Sequence, residues 1–242
     1  MRSVVVLPTY NEAGNIDPFL RAVREASPTT DILVVDDNSP DGTGALAKAV
    51  ADELGQIEVL HRPGKQGLGS AYREGFAKVL DGSHDLVISM DADFSHDPRR
   101  INEFIQCVED GADIVIGSRY VTGGGTTDWP IHRQLLSRWG NAYTRTILGV
   151  PARDCTSGYR AYRASSLASI DPTSTSAEGY AFLTELVLRL SREGASVVEV
   201  PIIFRDRTEG KSKMSGRIIV ESMLLVTRWG LRDRIKRISG RR

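Results

Sequence analysis

Short apolar runs alternate with helix-length amphipathic segments through the first half of this chain. Val4, Val5, Val6 and Leu7 form one such run, and others of strand length recur at 31–36, 57–61, 85–90 and 113–117, so that the first strand is expected at 3–7. Continuous apolar character of this length marks strands buried on both faces. Between them, segments at about 14–26, 43–54, 67–80 and 98–109 are of helix length and amphipathic. Strands separated by helices predict a mostly parallel sheet in a three-layer α/β/α sandwich. Ligands of such sheets sit beyond the carboxyl ends of the strands. That rule gathers residues 8–12, 36–41, 91–96 and 117–120 on one rim, where the polar residues collect.

The second half changes character. Gly123, Gly124, Gly125, Thr126 and Thr127 predict a flexible loop, followed by a helix at about 132–148. A turn-rich segment at 154–160 precedes a helix at about 179–192, a strand at 197–204 and a basic loop through Ser215. The segment 217–238 mixes Ile218, Ile219, Leu224, Leu225, Trp229, Ile235 and Ile238 with basic residues, and from 217 onward eight Lys and Arg stand against Glu221 and Asp233. A helix with an apolar face and basic flank can lie on an anionic membrane. A core-packed last helix with a solvated basic tail fits the same pattern. There is no internal repeat, low-complexity tract or interdomain linker.

Composition narrows the class without choosing a function. The 242 residues suit one α/β domain with elaborations, and 40% hydrophobic with 26% charged residues describe an ordinary globule. Thirty-one basic and thirty-one acidic residues cancel, so no global field attracts nucleic acid. Cys107 and Cys155 are too few for a disulfide framework, and a reducing cytosol is the simpler context. No signal peptide is recognised at the N-terminus, and no run approaches the roughly 18–20 apolar residues of a membrane span. A soluble or peripheral protein is expected.

The candidate chemistry centres on Asp91 and Asp93, which leave the apolar run at 85–90 two residues apart. Residues so spaced in an extended segment point the same way. A Mg²⁺ or Mn²⁺ held by one or two carboxylates keeps sites open for phosphate oxygens. Such pairs also serve merely to cap a following helix, a role that Asp97 with Pro98 can fill here. Four further constellations accompany the pair: P-x-Y-N-E at 8–12, D-D-x-S-x-D-x-T at 36–43, G-S-R-Y at 117–120 and F-x-x-R-x-x-G-x-S-K at 204–213.

With D-A-D-x-S-H at 91–96 and T-S-G-Y-R at 156–160, these motifs resemble the family-two glycosyltransferases of the GT-A fold. More narrowly, they resemble dolichol-phosphate (polyprenol-phosphate) mannose synthases, from Val4 to about Lys213. The resemblance implies a nucleotide-diphospho-sugar transferase fold, with a catalytic unit at 1–216. The amphipathic basic helix and tail at 217–242 would belong to the same domain or dock on a membrane. It also implies that Pro8, Tyr10, Glu12, Val35 and Asp37 line the nucleotide pocket, while Asp91, Ala92 and Asp93 meet the diphosphate through Mg²⁺ or Mn²⁺. Asp93 is the first-choice ligand. Ser95 stands where some relatives carry Gln, and a hydroxyl is the weaker donor.

Arg207 and Lys213 resemble the loop that closes over the donor diphosphate, with Gly210 permitting closure. Arg119 matches a position near the transferred sugar and phosphates. Arg133 and Ser137 match positions that hold the lipid phosphate, and Arg160, in the acceptor-side turn, is assigned to the lipid phosphate with them, a structural ion pair with Asp154 being the alternative. Asp36 is read as closing an Asx-turn. The Gly67–Gly69 pair is read as a tight turn with close packing, Cys155 as a packing residue, and His96 and His132 as loop-positioning groups rather than bases.

The implied reaction moves mannose from GDP-mannose to a polyprenyl (dolichyl) phosphate, with inversion, giving β-mannosyl phosphoryl polyprenol and GDP. Asp91, Asp93, Arg119 and Arg133 would carry it, at the cytoplasmic face of a membrane. Attachment is expected through the membrane surface or a membrane-anchoring partner protein. Two other readings stay open: a polyprenyl-phosphate glucosyltransferase using UDP-glucose or a related donor, and a non-catalytic nucleotide-sugar-binding or membrane-adaptor module.

Overall fold

The computed structural model describes residues 1–206 and 216–238. Its first half alternates strand and helix: β1 (Ser3–Thr9), α1 (Ile16–Ala26), β2 (Asp31–Asp36), α2 (Thr43–Leu54), β3 (Ile57–His61), α3 (Leu68–Val79), β4 (Leu86–Ser89), α4 (Ile101–Glu109) and β5 (Ile114–Ser118). Asp97 caps a 3₁₀ turn at Pro98–Arg100 ahead of α4, its side chain accepting from Arg99 N. The remainder comprises β6 (Gly125–Thr126), α5 (Ile131–Leu148), β7 (Arg160–Arg163), α6 (Ala164–Ser169), a 3₁₀ turn at Pro172–Ser174, α7 (Gly179–Arg192), β8 (Val197–Pro201), β9 (Ile203–Phe204) and α8 (Gly216–Ile238).

Seven strands form the main sheet in the order β3-β2-β1-β4-β7-β5-β8. All neighbours are parallel except β7, which runs antiparallel to both β4 and β5. Alternate residues of β1 feed opposite layers, as the pleat requires. Val5 and Leu7 join Phe19 and Leu20 of α1, Val50 of α2 and Phe104 of α4. Val4 and Val6 join Tyr72 and Phe76 of α3, Leu167 of α6 and Phe182 and Leu186 of α7. The three-layer α/β/α sandwich therefore forms as the apolar runs predict. The carboxyl ends of β1, β2, β4 and β5 share one rim.

Three sequence expectations need correction. The strand at 197–204 is two strands, because β9 leaves the main sheet to pair with β6 in a separate ribbon. That ribbon also removes the flexible glycine loop: Gly125 N donates to Ile202 O at 3.0 Å and Thr127 N to Phe204 O at 2.9 Å. Gly124 is fitted so closely that a Cβ there would lie 2.4 Å from Ser118 O. The segment at 154–159 is turn-rich as expected, but it leads into a strand that was not expected, β7, near the centre of the sheet.

The last helix is bound to the domain. Val226 belongs to the core shared with α3 and α7, Tyr143 of α5 hydrogen-bonds Thr227 at 2.7 Å, and Arg192 of α7 pairs with Asp233. Gly230 lies so close to α5 that an added Cβ would stand 2.5 Å from Ile147 Cγ2 and 2.8 Å from its carbonyl oxygen. One face of α8 nevertheless stays open, with Val220, Leu224, Leu231 and Ile235 exposed. No helix among the described residues is long and apolar enough to cross a membrane. Gly230→Val is expected to destabilise by about 1–3 kcal/mol through overpacking and to hasten proteolysis within α8; thermal melting with limited proteolysis measures both. An unchanged melt would mean that α8 is not packed on α5.

Candidate functional site

The rim begins with main-chain geometry. Thr9 Oγ1 donates to Asp36 Oδ1 at 3.1 Å, and Ser39 N donates to Asp36 Oδ2 at 3.0 Å, so Asp36 ties the two loops together, accepting from the N–H three residues on rather than from the one two residues on that an Asx-turn uses. Asn11 and Asn38, at φ 59° and 55°, supply the left-handed turns, which asparagine tolerates better than most residues. Asp37 is thereby turned inward. It forms an ion pair with buried Arg62 and accepts from Gln66 N at 3.2 Å. Arg62 also binds Glu74 at 2.8 Å, so two carboxylates offset its charge. The sequence reading did not single out Arg62. Its signal is an arginine just beyond β3, on the same rim.

A cavity of about 550 Å³ opens from this rim. Pro8, Tyr10, Glu12 and Asp37 line its first wall. Glu12 accepts from Asn15 Nδ2 at 3.0 Å, and Lys65 places its Nζ 4.0 Å from the centre of the Tyr10 ring. Val35 is not at this wall. It is fully buried and faces α3, where a Cβ on Gly75 would come within 3.1 Å of it. The glycine turn at 67–69 is a close approach, as expected: a Cβ on Gly69 would lie 2.8 Å from Ala177 O.

Asp91, Ala92 and Asp93 form the cavity floor. His96 Nδ1 accepts from Asp91 N at 3.1 Å, and its ring stacks on Tyr159 at 5.1 Å. Histidine here shapes the loop. Asp93 Oδ1 accepts from Ser95 N at 3.0 Å, across Phe94 at φ 59°. For a bulky residue this left-handed conformation costs about 1–2 kcal/mol; edge-on packing of Phe94 against Phe19, centroids 5.0 Å apart, helps hold it. Burial and the charge of Asp91 push the Tyr72 hydroxyl well above its usual range, so Tyr72 stays a neutral donor.

This floor suits a hard divalent cation. Its donors are carboxylate oxygens, and the Ser95 hydroxyl behind them is buried without a hydrogen-bond partner among the described residues. Ser95 itself lines an adjacent cleft rather than the main cavity. Among the described residues no group of three or more His, Cys, Asp or Glu side chains forms a metal cluster. Two carboxylates would leave coordination positions for phosphate oxygens.

The second wall carries the arginines. Arg119 is almost fully buried and grips Asp154 through Nε at 2.7 Å and Nη2 at 2.7 Å, with its own N–H adding a third bond at 3.0 Å. Burial alone would raise the Asp154 carboxyl, but the Arg119 guanidinium holds it below the usual carboxylate range. Arg133 pairs with Asp206 at 2.8 Å and stacks 3.9 Å from the centre of the Trp129 ring. Ser137 accepts from the Tyr120 hydroxyl at 2.6 Å. Arg119, Arg133 and Ser137 all line the cavity.

Arg160 does not. It has no exposed surface and spends its donors on the carbonyls of Ser157, Leu183 and Cys155 at 2.6–2.7 Å. It is a structural strut rather than a phosphate ligand, and the partner of Asp154 is Arg119. Burial pushes the Cys155 thiol up to about 12, in keeping with a packing role. Arg207, Gly210 and Lys213 lie outside the described residues. Leu136 and Trp139 of α5 and Met223 and Val226 of α8 add apolar lining to the cavity, which the sequence reading did not identify.

Comparison with known proteins agrees with this geometry. The description "Glycosyl transferase family 2" matches residues 4–171. The chain is 47% identical over 240 residues to polyprenol monophosphomannose synthase of Mycolicibacterium smegmatis, covering 99% of this chain and 91% of that protein. It is 46% identical over 234 residues to undecaprenyl-phosphate mannosyltransferase of Micrococcus luteus, covering 97% and 96%. Among solved structures it resembles glucosyl-3-phosphoglycerate synthase from Mycobacterium tuberculosis in complex with phosphoglyceric acid, at TM-score 0.69 and 20% identity over 93% of this chain and 80% of that one. The same synthase in complex with Mn²⁺, uridine-diphosphate-glucose and glycerol 3-phosphate gives 0.66 at 21% identity, with the same coverage. The shared architecture is the GT-A fold, and the chain belongs to glycosyl transferase family 2.

Proposed function

We propose that this protein transfers mannose from GDP-mannose to a polyprenyl phosphate, producing β-mannosyl phosphoryl polyprenol and GDP. The observation that carries this reading is one continuous cavity. It is lined by the carboxylates Asp37, Asp91 and Asp93, by Arg119 and Arg133, and by apolar Leu136, Met223 and Val226. A nucleotide sugar, a phosphate and an isoprenoid chain together call for those three kinds of surface. The two mannosyltransferase relatives, at 46–47% identity, support the sugar and the acceptor class.

Asp91 and Asp93 would hold a Mg²⁺ or Mn²⁺. Bound there, the cation offsets charge developing on the departing diphosphate. The chain's own residues do the rest. Tyr10, Glu12 and Asp37 bind the nucleoside. Arg133 and Ser137 hold the acceptor phosphate beside Arg119, which lowers the repulsion between two anions. A phosphate oxygen attacks the anomeric carbon as the bond from that carbon to the GDP oxygen breaks, and GDP leaves with the electron pair. With a second pKa of about 6, the phosphate monoester is already anionic at neutral pH. No side chain has to remove a proton, and the configuration inverts.

The acceptor is a lipid, and the open faces of two helices support a contact with the membrane surface. On α5, Ile131, Leu135 and Trp139 recur every fourth residue and are exposed, Ile131 by 75%; on α8, Leu224 is exposed by 65% beside Leu231 and Ile235. Arg138, Arg228, Arg232 and Arg234 lie on the same helices. Apolar side chains flanked by arginine suit an anionic leaflet, and cytosolic GDP-mannose would place that leaflet on the cytoplasmic side.

The purified protein is expected to turn over GDP-mannose with polyprenyl phosphate and to reject UDP-glucose in a radiolabelled donor panel. Preference for UDP-glucose would overturn the donor assignment, and metal-dependent GDP-mannose binding without turnover would revive a non-catalytic role. Asp93→Ala is expected to abolish transfer at saturating metal, while Arg133→Ala raises KM for the lipid phosphate about tenfold or more and leaves that for GDP-mannose within about twofold. Steady-state kinetics of both variants check this; the opposite KM pattern would mean that donor and acceptor arginines are exchanged. Replacing Ile131, Leu135, Leu224 and Leu231 by Ser should abolish flotation with anionic liposomes and preserve transfer to a short, water-soluble prenyl phosphate. Unaltered flotation would sink the docking assignment.

A further inference from the structure

Trp129 stands between the two arginines of the cavity. Its side chain is 7% exposed, with the Arg133 guanidinium carbon 3.9 Å and that of Arg119 5.5 Å from the ring centre. Phe204 meets it edge-on at 5.4 Å and 71°. Two guanidiniums brought together repel, and the electron-rich face of an indole offsets part of that repulsion. The main chain is fixed around the ring: Gln134 Nε2 donates to Trp129 O at 2.9 Å, and Pro130 caps the start of α5.

The indole N–H is the unexplained group. Trp129 Nε1 is buried and has no hydrogen-bond partner among the described residues, although buried indole donors ordinarily find one. Trp129 also lines the cavity. A buried donor in a cavity wall, beside two cations, points to an anionic oxygen supplied from outside the protein. A carboxylate already shows where such an anion goes: Asp206 Oδ2 accepts from Arg133 Nη1 at 2.8 Å. A phosphate in its place brings three acceptor oxygens, enough for Arg133 and for a second donor.

We propose that Trp129 is a binding and positioning residue for the acceptor phosphate: its π face holds the Arg133 guanidinium beside Arg119, and its Nε1–H donates to a phosphate oxygen. This rests on the lipid-phosphate reading above and adds a residue that the family motifs did not supply. Two variants separate the functions. Trp129→Phe keeps an aromatic face and removes the donor; Trp129→Leu removes both. Isothermal titration of the full chain with farnesyl phosphate and, separately, with GDP and Mg²⁺ provides the readout.

Trp129→Phe is expected to weaken farnesyl phosphate about tenfold, as loss of one hydrogen bond to a charged group does, and to leave GDP affinity within twofold. Trp129→Leu is expected to weaken farnesyl phosphate further while GDP binding persists. Unchanged farnesyl phosphate affinity in the Phe variant overturns the proposal, as does an equal loss for both ligands, which marks a purely structural role. A wild-type protein that binds no prenyl phosphate removes the acceptor reading itself, a failure visible before any variant is made.

Discussion

The pair of Arg119 and Asp154 holds the second wall of the cavity in shape. It joins the end of β5 to the turn that enters β7, and Asp154 also accepts from the N–H groups of Thr156 and Ser157 at 3.3 and 3.1 Å. Loss of one partner from a buried pair costs about 3–5 kcal/mol, because the other charge is stranded. The pair also sets the charge seen by a ligand. Arg119 is offset by Asp154, Arg133 by Asp206 and Arg62 by Asp37 with Glu74. Of the three, Arg119 and Arg133 line the cavity, where their paired guanidiniums present positioned hydrogen-bond forks more than bare charge.

Much of the fold was legible in the chain because its strands are apolar on both faces. Val4, Val5, Val6 and Leu7 have no solvent side to encode, and the helices between such runs leave few alternatives to a parallel sheet. The motif at 160–163, Arg160-Ala161-Tyr162-Arg163, broke the reading for the opposite reason. It is only four residues long, half of them arginine, yet Arg160 and Tyr162 are wholly buried. Charged residues enter a core only when their partners are assembled from elsewhere. Those of Arg160 are carbonyls from residues as distant as Leu183, which no local pattern announces.

The site divides along the same line. Asp36, Asp37, Asp91 and Asp93 were legible because each leaves a recognisable strand, and the rim rule assembles them. Partners were not: Arg62 for Asp37, Asp154 for Arg119 and Asp206 for Arg133 come from distant segments. Val35 and Arg160 share a different error. Both lie within recognised motifs, but a motif records what surrounds a site as well as what touches it. The apolar lining of the cavity escaped notice because Trp139 and Val226, 87 residues apart in number, line one cavity only when α8 folds back onto α5.

One strand direction has an organisational consequence. Because β7 runs against its neighbours, its beginning rather than its end arrives at the ligand rim. The chain can therefore leave the sheet after β5, travel through α5, and re-enter at 154–159 beside the point of departure. Asp37, Asp91 and Asp93 hang from β2 and β4, whereas Arg119, Trp129, Arg133 and Ser137 all belong to this single excursion. The molecule is thus modular across its own cavity. One contiguous stretch supplies the arginine wall of the cavity, and β9 and α8 brace that stretch from outside it.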